Sequence, residues 1–122
     1  MSESQKIQPL HLEKGAVVFA EGEVSNGCMY FIFSGEVLIT KSGFGVIRSL
    51  SQGHFFGEMA LVRAIPRSAT AIVASATAKL GCIDLKTFAW LAKNKPIFLS
   101  NLISVVAKRA ARAMQKVVDR GL

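Results

Sequence analysis

The stretch Phe55–Ala71, FFGEMALVRAIPRSATA, places a glycine and a lone carboxylate, Gly57 and Glu58, inside an apolar run. Nine residues after the acid comes a guanidinium, Arg67, preceded by Pro66 and followed by Ser68. Gly57 permits a positive φ or the close approach of a ligand. If Glu58–Leu61 forms one helical turn, its first amides lack acceptors within the turn and favour an anion, phosphate above all. Arg67 offers a planar fork of donors matched to two phosphate oxygens, with a permanent charge. Pro66 fixes its own φ and pushes Ile65 toward an extended conformation, which steadies the approach to Arg67. Ser68 adds a hydroxyl beside the guanidinium. An ionised Glu58 can only accept hydrogen bonds, so it suits a sugar hydroxyl and not a phosphate. One anion cradle and one hydroxyl acceptor describe a sugar-phosphate site. Taken alone, the same two residues also fit a buried Glu58–Arg67 salt bridge, which would say little about stability.

Outward from this stretch, residues 7–84 read as short strands. AVVFA (16–20), CMYFIF (28–33), EVLIT (36–40), GVIRSL (45–50) and ATAIVASATAKLGCID (69–84) are rich in β-branched and aromatic residues. Turn residues separate them at Glu21-Gly22-Glu23, Ser25-Asn26-Gly27, Ser34-Gly35, Ser42-Gly43 and Ser51-Gln52-Gly53. Such spacing predicts an antiparallel sandwich or roll. After Asp84, a plausible N-cap, the period changes. Leu85, Phe88, Ala89 and Ala92 fall on one helix face, Asn94-Lys95 breaks the pattern, and Pro96 suits the first turn of a second helix. From Ile97 the residues Leu99, Leu102, Ile103, Val106, Ala110, Ala113, Met114 and Val117 form an apolar stripe that ends at Gly121. A helix of this length spans about 37 Å. One small roll cannot cover it, so a homodimer through this helix is expected.

The 122 residues suffice for one domain and one core. No apolar run reaches the roughly 18 residues of a membrane span, because Ser100, Asn101 and Ser104 interrupt the longest, Ile97–Ala107. The polar start MSESQK lacks the pattern of a secretion signal. The expectation is a soluble, cytoplasmic protein. Cys28 and Cys82 lack metal-ligand spacing and read as buried reduced thiols, although a disulfide remains open. Of the net charge of +7, residues 101–122 hold Lys108, Arg109, Arg112, Lys116 and Arg120 against Asp119, a balance of +4. This reads first as a solvated helix face and not as a nucleic-acid groove reader.

FGEMALVRAIPRSATA resembles the phosphate-binding cassette of the cyclic-nucleotide-binding domain family, which includes regulatory subunits of cAMP-dependent protein kinase, cyclic-nucleotide-gated channels and the bacterial catabolite activator protein. MYFIFSGEVLI (29–39) resembles that family's glycine-containing hairpin, and GHFFGEMAL (53–61) leads into the cassette as the family does. The resemblance covers most of the chain. It implies an α+β fold, an antiparallel jelly-roll-like β-roll (7–84) with a short helix in the cassette, followed by B and C helices (85–121). It also implies roles for individual residues. Gly57 and the turn amides, Ala60 among them, would meet the cyclic phosphate or ribose, and Met59 would pack near the sugar. Glu58 would accept from the ribose 2′-OH. Arg67 would pair with the exocyclic phosphate oxygens, and Ser68 would contact the phosphate, the base or both. A C-helix residue often covers the purine in this family. Arg109 is the candidate, and a solvated surface arginine is the equal alternative. Ser68 does not decide between cAMP and cGMP, and cAMP is preferred as the commoner ligand of prokaryotic members.

No cofactor is expected, and no enzyme. His11 and His54 lie far apart in sequence, unlike the clustered histidines of a metal-dependent roll. The bacterial activators append a helix-turn-helix after the C helix. Ending at Leu122 is read as leaving no room for one, so nucleic acid is an unlikely partner. The expected function is a ligand sensor acting on an effector protein that the sequence does not name. The alternatives are a regulatory fragment of a channel, kinase or transcription factor, and a basic-helix protein that contacts nucleic acid.

Overall fold

The computed structural model describes residues 7–61 and 65–119; the side chains at positions 59, 105, 106, 109, 110 and 112–119 lie outside that description. The chain divides into two compact units, residues 1–88 and 89–122. Among the described residues the first holds eight strands: β1 (Gln8–Glu13), β2 (Val17–Phe19), β3 (Met29–Ser34), β4 (Val37–Lys41), β5 (Gly45–Leu50), β6 (Phe55–Phe56), β7 (Thr70–Val73) and β8 (Thr77–Ile83). They form two antiparallel four-stranded sheets, ordered β1-β8-β3-β6 and β2-β7-β4-β5. The expected antiparallel roll is the fold that forms.

Its interior follows from strand alternation. Tyr30 and Ile32 of β3, Val37 and Ile39 of β4, Ala71 and Val73 of β7, and Ala78 and Leu80 of β8 meet in one buried cluster with Phe19, Leu50, Phe56 and Ala69. Each fully buried aliphatic side chain in such a core contributes about 1.5–3 kcal/mol. β3 reads as an unbroken apolar run because both of its faces are covered. On the face opposite Tyr30, Met29 is fully buried, and the Phe31 ring packs 5.1 Å from Phe33 and 4.9 Å from Phe55, centroid to centroid.

The structure differs from the sequence reading in three strands. The run 69–84 is two strands in different sheets, parted at Ala74–Ala76. There the Ser75 hydroxyl donates to the Thr77 carbonyl at 2.7 Å and accepts from the Glu36 amide at 2.8 Å. β1 carries polar residues and Pro9, which weakens its strand signal; it is an edge strand, where proline is tolerated. Its Leu10 and Leu12 still pack against the core. β6 is too short to show any period. Cys28 and Cys82 are free and half-buried, not fully buried. Burial pushes the Cys28 thiol up to about 12, and the hydrogen-bonded Cys82 thiol adds to the rise.

Helix α1 (Leu85–Asn94) starts where expected, with Asp84 Oδ1 accepting from the Thr87 amide at 2.7 Å. Helix α2 (Pro96–Asp119) follows at once. Lys95 is their junction: its amide donates to Leu91 O at 2.7 Å, closing the first helix, and its carbonyl accepts from the Phe98 amide at 3.0 Å, opening the second. Proline at 96 has no N–H to lose in that first turn. The division between the two compact units falls at 88/89, inside α1. Gly121 and the stripe residues Val106, Ala110, Ala113, Met114 and Val117 lie outside the described residues or side chains.

Candidate functional site

Arg67 is the charged residue on which the site is built, and it is only 7% exposed. Its backbone is fixed first. The Arg67 amide donates to Glu23 O at 2.9 Å, and its carbonyl accepts from the Gly22 amide at 2.7 Å. The turn after β2 therefore clamps the segment that Pro66 was expected to steady. The side chain then runs inward. Nη2 donates to Asn26 Oδ1 and to the Cys28 carbonyl, both at 2.8 Å, and Nη1 donates to the Gly57 carbonyl at 3.3 Å. All three acceptors are neutral oxygens. The Glu58 carboxylate is not among them, so these bonds do not make the salt bridge that the sequence alone also allowed.

A buried cation with neutral partners needs other support, and aromatic rings supply some of it. The guanidinium carbon lies 4.2 Å from the centroid of the Phe19 ring and 6.0 Å from that of Tyr30. A desolvated cation over an aromatic face gains about 2 kcal/mol. The rings themselves form a wall: Tyr30 stacks on Phe56 at 5.4 Å and 20°, and Phe19 tilts against both at 6.0 and 5.9 Å. Burial raises the Tyr30 hydroxyl above its ordinary pKa, opposed by the hydrogen bond from Asn26 and by the Arg67 charge.

Gly57 has φ +74°, and a Cβ there would stand 2.9 Å from Arg67 Nη1 and 3.3 Å from Phe19 Cε2. Its missing side chain is what lets Arg67 lie against the cassette backbone. The Gly57 carbonyl also accepts from the Ala60 amide at 3.2 Å, which closes a 3-10 turn over Glu58–Leu61. The single helical turn expected after Gly57 is therefore present. The Ala60 amide, expected to face the ligand, has a partner within the chain. Glu58 is half-buried in this turn. Ser68 is exposed next to Arg67, and its carbonyl accepts from Lys41 Nζ at 2.7 Å.

Gly57 and Arg67 thus meet directly, Glu58 and Ala60 lie in the turn that follows Gly57, and Ser68 stands exposed beside Arg67 in the chain. The side chains of Met59 and Arg109 lie outside the described residues. Four participants escaped the sequence reading: Phe19, Asn26, the Cys28 carbonyl and Tyr30. Ser25-Asn26-Gly27 reads only as a turn, and no period in sequence points a turn residue at an arginine forty-one positions away. His11 and His54 belong elsewhere. His54 Nδ1 accepts from the Ser51 amide at 2.9 Å within a turn.

The family model described as the cyclic nucleotide-binding domain matches residues 9–95. The chain is 35% identical over 82 residues to the cAMP-dependent protein kinase regulatory subunit of Schizosaccharomyces pombe, covering 67% of this chain and 19% of that protein. It is 34% identical over 110 residues to a protein named as a potassium channel in Rhodopseudomonas palustris, covering 88% of this chain and 26% of that one. It therefore spans about a fifth to a quarter of the length of these curated relatives. Among solved structures, the catabolite activator protein of Thermus thermophilus superposes with a TM-score of 0.77 at 25% identity, over 93% of this chain and 54% of that one. With the fold, the cassette and the family model in agreement, this chain belongs to the cyclic nucleotide-binding domain family.

Proposed function

We propose that the roll binds cAMP, in preference to cGMP, and acts as a non-catalytic sensor. The observation that carries this reading is the buried Arg67 guanidinium, whose hydrogen bonds end on neutral oxygens. Burying an ionised group is costly unless an opposite charge joins it. A cyclic phosphate is an anion that would balance this charge, accepting from the guanidinium hydrogens that Asn26, Cys28 and Gly57 leave free or displacing one of those acceptors. Glu58, one residue beyond Gly57, accepts from the ribose 2′-OH. The Gly57 turn approaches the sugar-phosphate ring, and Ser68 contacts the phosphate or base. Arg109 covers the purine from α2. The cAMP-dependent name of a relative supports the choice of base. Binding is relayed through the helices after Asp84 to an effector protein or to a second copy of the chain.

Titration calorimetry with cAMP and cGMP, side by side, tests the reading. The parent protein binds cAMP more tightly. Arg67→Ala weakens that binding more than about tenfold, as expected for a charge-assisted bond worth about 1.5–3 kcal/mol. A parent that binds neither nucleotide overturns the function. Unchanged affinity in Arg67→Ala removes the arginine from the site.

A further inference from the structure

The sheet β2-β7-β4-β5 has an apolar outer face. Its register sets Val17, Ile72, Leu38 and Ser49 in one row across all four strands, with Thr70, Thr40 and Val46 in a second row beside it. Strand alternation turns both rows away from the core, since the intervening Val37, Ile39, Ala71 and Val73 are buried. Val17 is 55% exposed at one edge of the face and Val46 is 57% exposed at the other. The β4–β5 hairpin adds Phe44 and Ile47, both exposed. Leu38 and Ile72 lie half-buried between the edges. Neither row holds a charged residue. Charge begins at the strand ends, where Glu36 precedes β4 and Glu21 Oε1 accepts from the Ser42 amide at 2.9 Å.

We infer that this outer face docks a second copy of the chain, face to face about a two-fold axis. The inference stands apart from the cyclic-nucleotide reading and needs no ligand.

Charge chooses the occupant. A net charge of +7 draws the chain as a whole toward anionic partners. Nucleic acid, an acidic peptide or an anionic lipid surface would find no cation in these two rows. Two copies of the chain repel each other through that same charge, and they meet at the least electrostatic cost where the surface carries none. The mode of contact follows from β5. Its register shift pairs Arg48 with Ile39 and Val46 with Thr40, which leaves Ile47 as an extra residue. Such a bulge interrupts the free backbone edge and blunts it against strand addition. Side-chain packing between two faces remains, with the sheets about 10 Å apart. Apolar rows in the middle and carboxylates at the strand ends also match the core and rim of a protein interface. Four strands spaced about 4.8 Å apart make a small face, below the ~800 Å² per partner of a standard interface. The dimer is therefore a weak one that dissociates on dilution.

Sedimentation equilibrium over a range of protein concentrations tests this on the full chain and on Val17→Asp, Val46→Asp and Ile103→Asp. Val17 and Val46 are exposed, so both face variants leave the core untouched, and thermal melting at low concentration checks that they fold. Placing them at opposite edges keeps the test sound if one disturbs its own strand. In a two-fold contact each substitution brings two carboxylates into the interface. The parent dimerises, and each face variant associates more than about tenfold more weakly. Ile103→Asp, at an exposed position on α2, associates as the parent does. Added salt strengthens the parent dimer, because it screens the repulsion between two chains of +7. A parent that stays monomeric at every concentration overturns the inference. A dimer that both face variants leave intact overturns it too, whether or not Ile103→Asp breaks that dimer. Weakening by salt would do the same, since ion pairs and not an uncharged face would then hold the copies together.

Discussion

Gly35 and Gly57 both sit in turns with positive φ, +97° and +74°, and neither has room for a Cβ. What each would strike differs. At Gly35 the nearest atoms are main chain and its immediate neighbour: Thr77 O at 2.6 Å, and Ala78 Cα and Cβ at 2.8 Å. At Gly57 the nearest atom is the end of the Arg67 side chain, at 2.9 Å, with the Phe19 ring beyond it at 3.3 Å. The first close approach joins the β3–β4 turn to β8 and belongs to the fold. The second leaves space for a charged group and belongs to the site. Two glycines that look alike in sequence are thus constrained by different things.

Substitution by alanine breaks this comparison most directly at Gly35. There the Cβ meets backbone that cannot move without disturbing β8, and the left-handed φ adds strain of its own. A loss of about 3 kcal/mol is expected from the two together, lowering the melting temperature by on the order of 10 °C. Differential scanning calorimetry checks it, and a variant melting with the parent would show that the turn can shift freely. Gly57→Ala is milder for the fold, because a guanidinium can swing aside. Its strain costs about 1–2 kcal/mol, but the displaced Arg67 loses its bond to the Gly57 carbonyl and cAMP affinity falls about tenfold. If Gly57→Ala lost stability without losing affinity in calorimetry, the two glycines would be the same kind of residue after all.

The same contrast explains what the sequence could reveal. The strands from Val17 to Leu50 and the helix break at Lys95 were legible, because burial periodicity, turn residues and Pro96 act within a few positions of themselves. The run 69–84 misled, since its β-branched residues continue across Ala74–Ala76. The change of sheets there is visible only in long-range pairing, β7 with β2 and β4 and β8 with β1 and β3. In the site, Gly57 and Arg67 were legible from side-chain chemistry and spacing. Asn26, Phe19 and Tyr30 were not, because their roles are made by folding. An amide, a phenyl ring and a phenol carry no anion-site signal until the roll brings them around one guanidinium. The neutrality of the acceptors that hold Arg67 is likewise a property of three dimensions.

The smallest effect is expected at Asp84, which serves as a lesion of the fold alone. Its carboxylate caps α1 by accepting from the Thr87 amide at 2.7 Å. That bond, followed by one from the Thr87 hydroxyl, holds its pKa below the usual carboxylate value, while slight burial acts the other way. Replacing such a cap by alanine costs about 1 kcal/mol. Asp84→Ala should therefore melt a few degrees lower, on the order of 5 °C, while cAMP affinity is unchanged. The sign with pH follows from the lowered pKa. The folded protein favours the ionised cap, so its contribution is complete above the ordinary carboxylate range and is lost as pH falls through the folded pKa. Melting curves of parent and Asp84→Ala should be furthest apart at neutral pH and converge in acid below about pH 4. A gap that stayed constant into acid would mean that the carboxylate charge does not support the cap. A loss of cAMP affinity in Asp84→Ala would mean that lesions of the fold reach the site, and that the separation between Gly35 and Gly57 is one of degree.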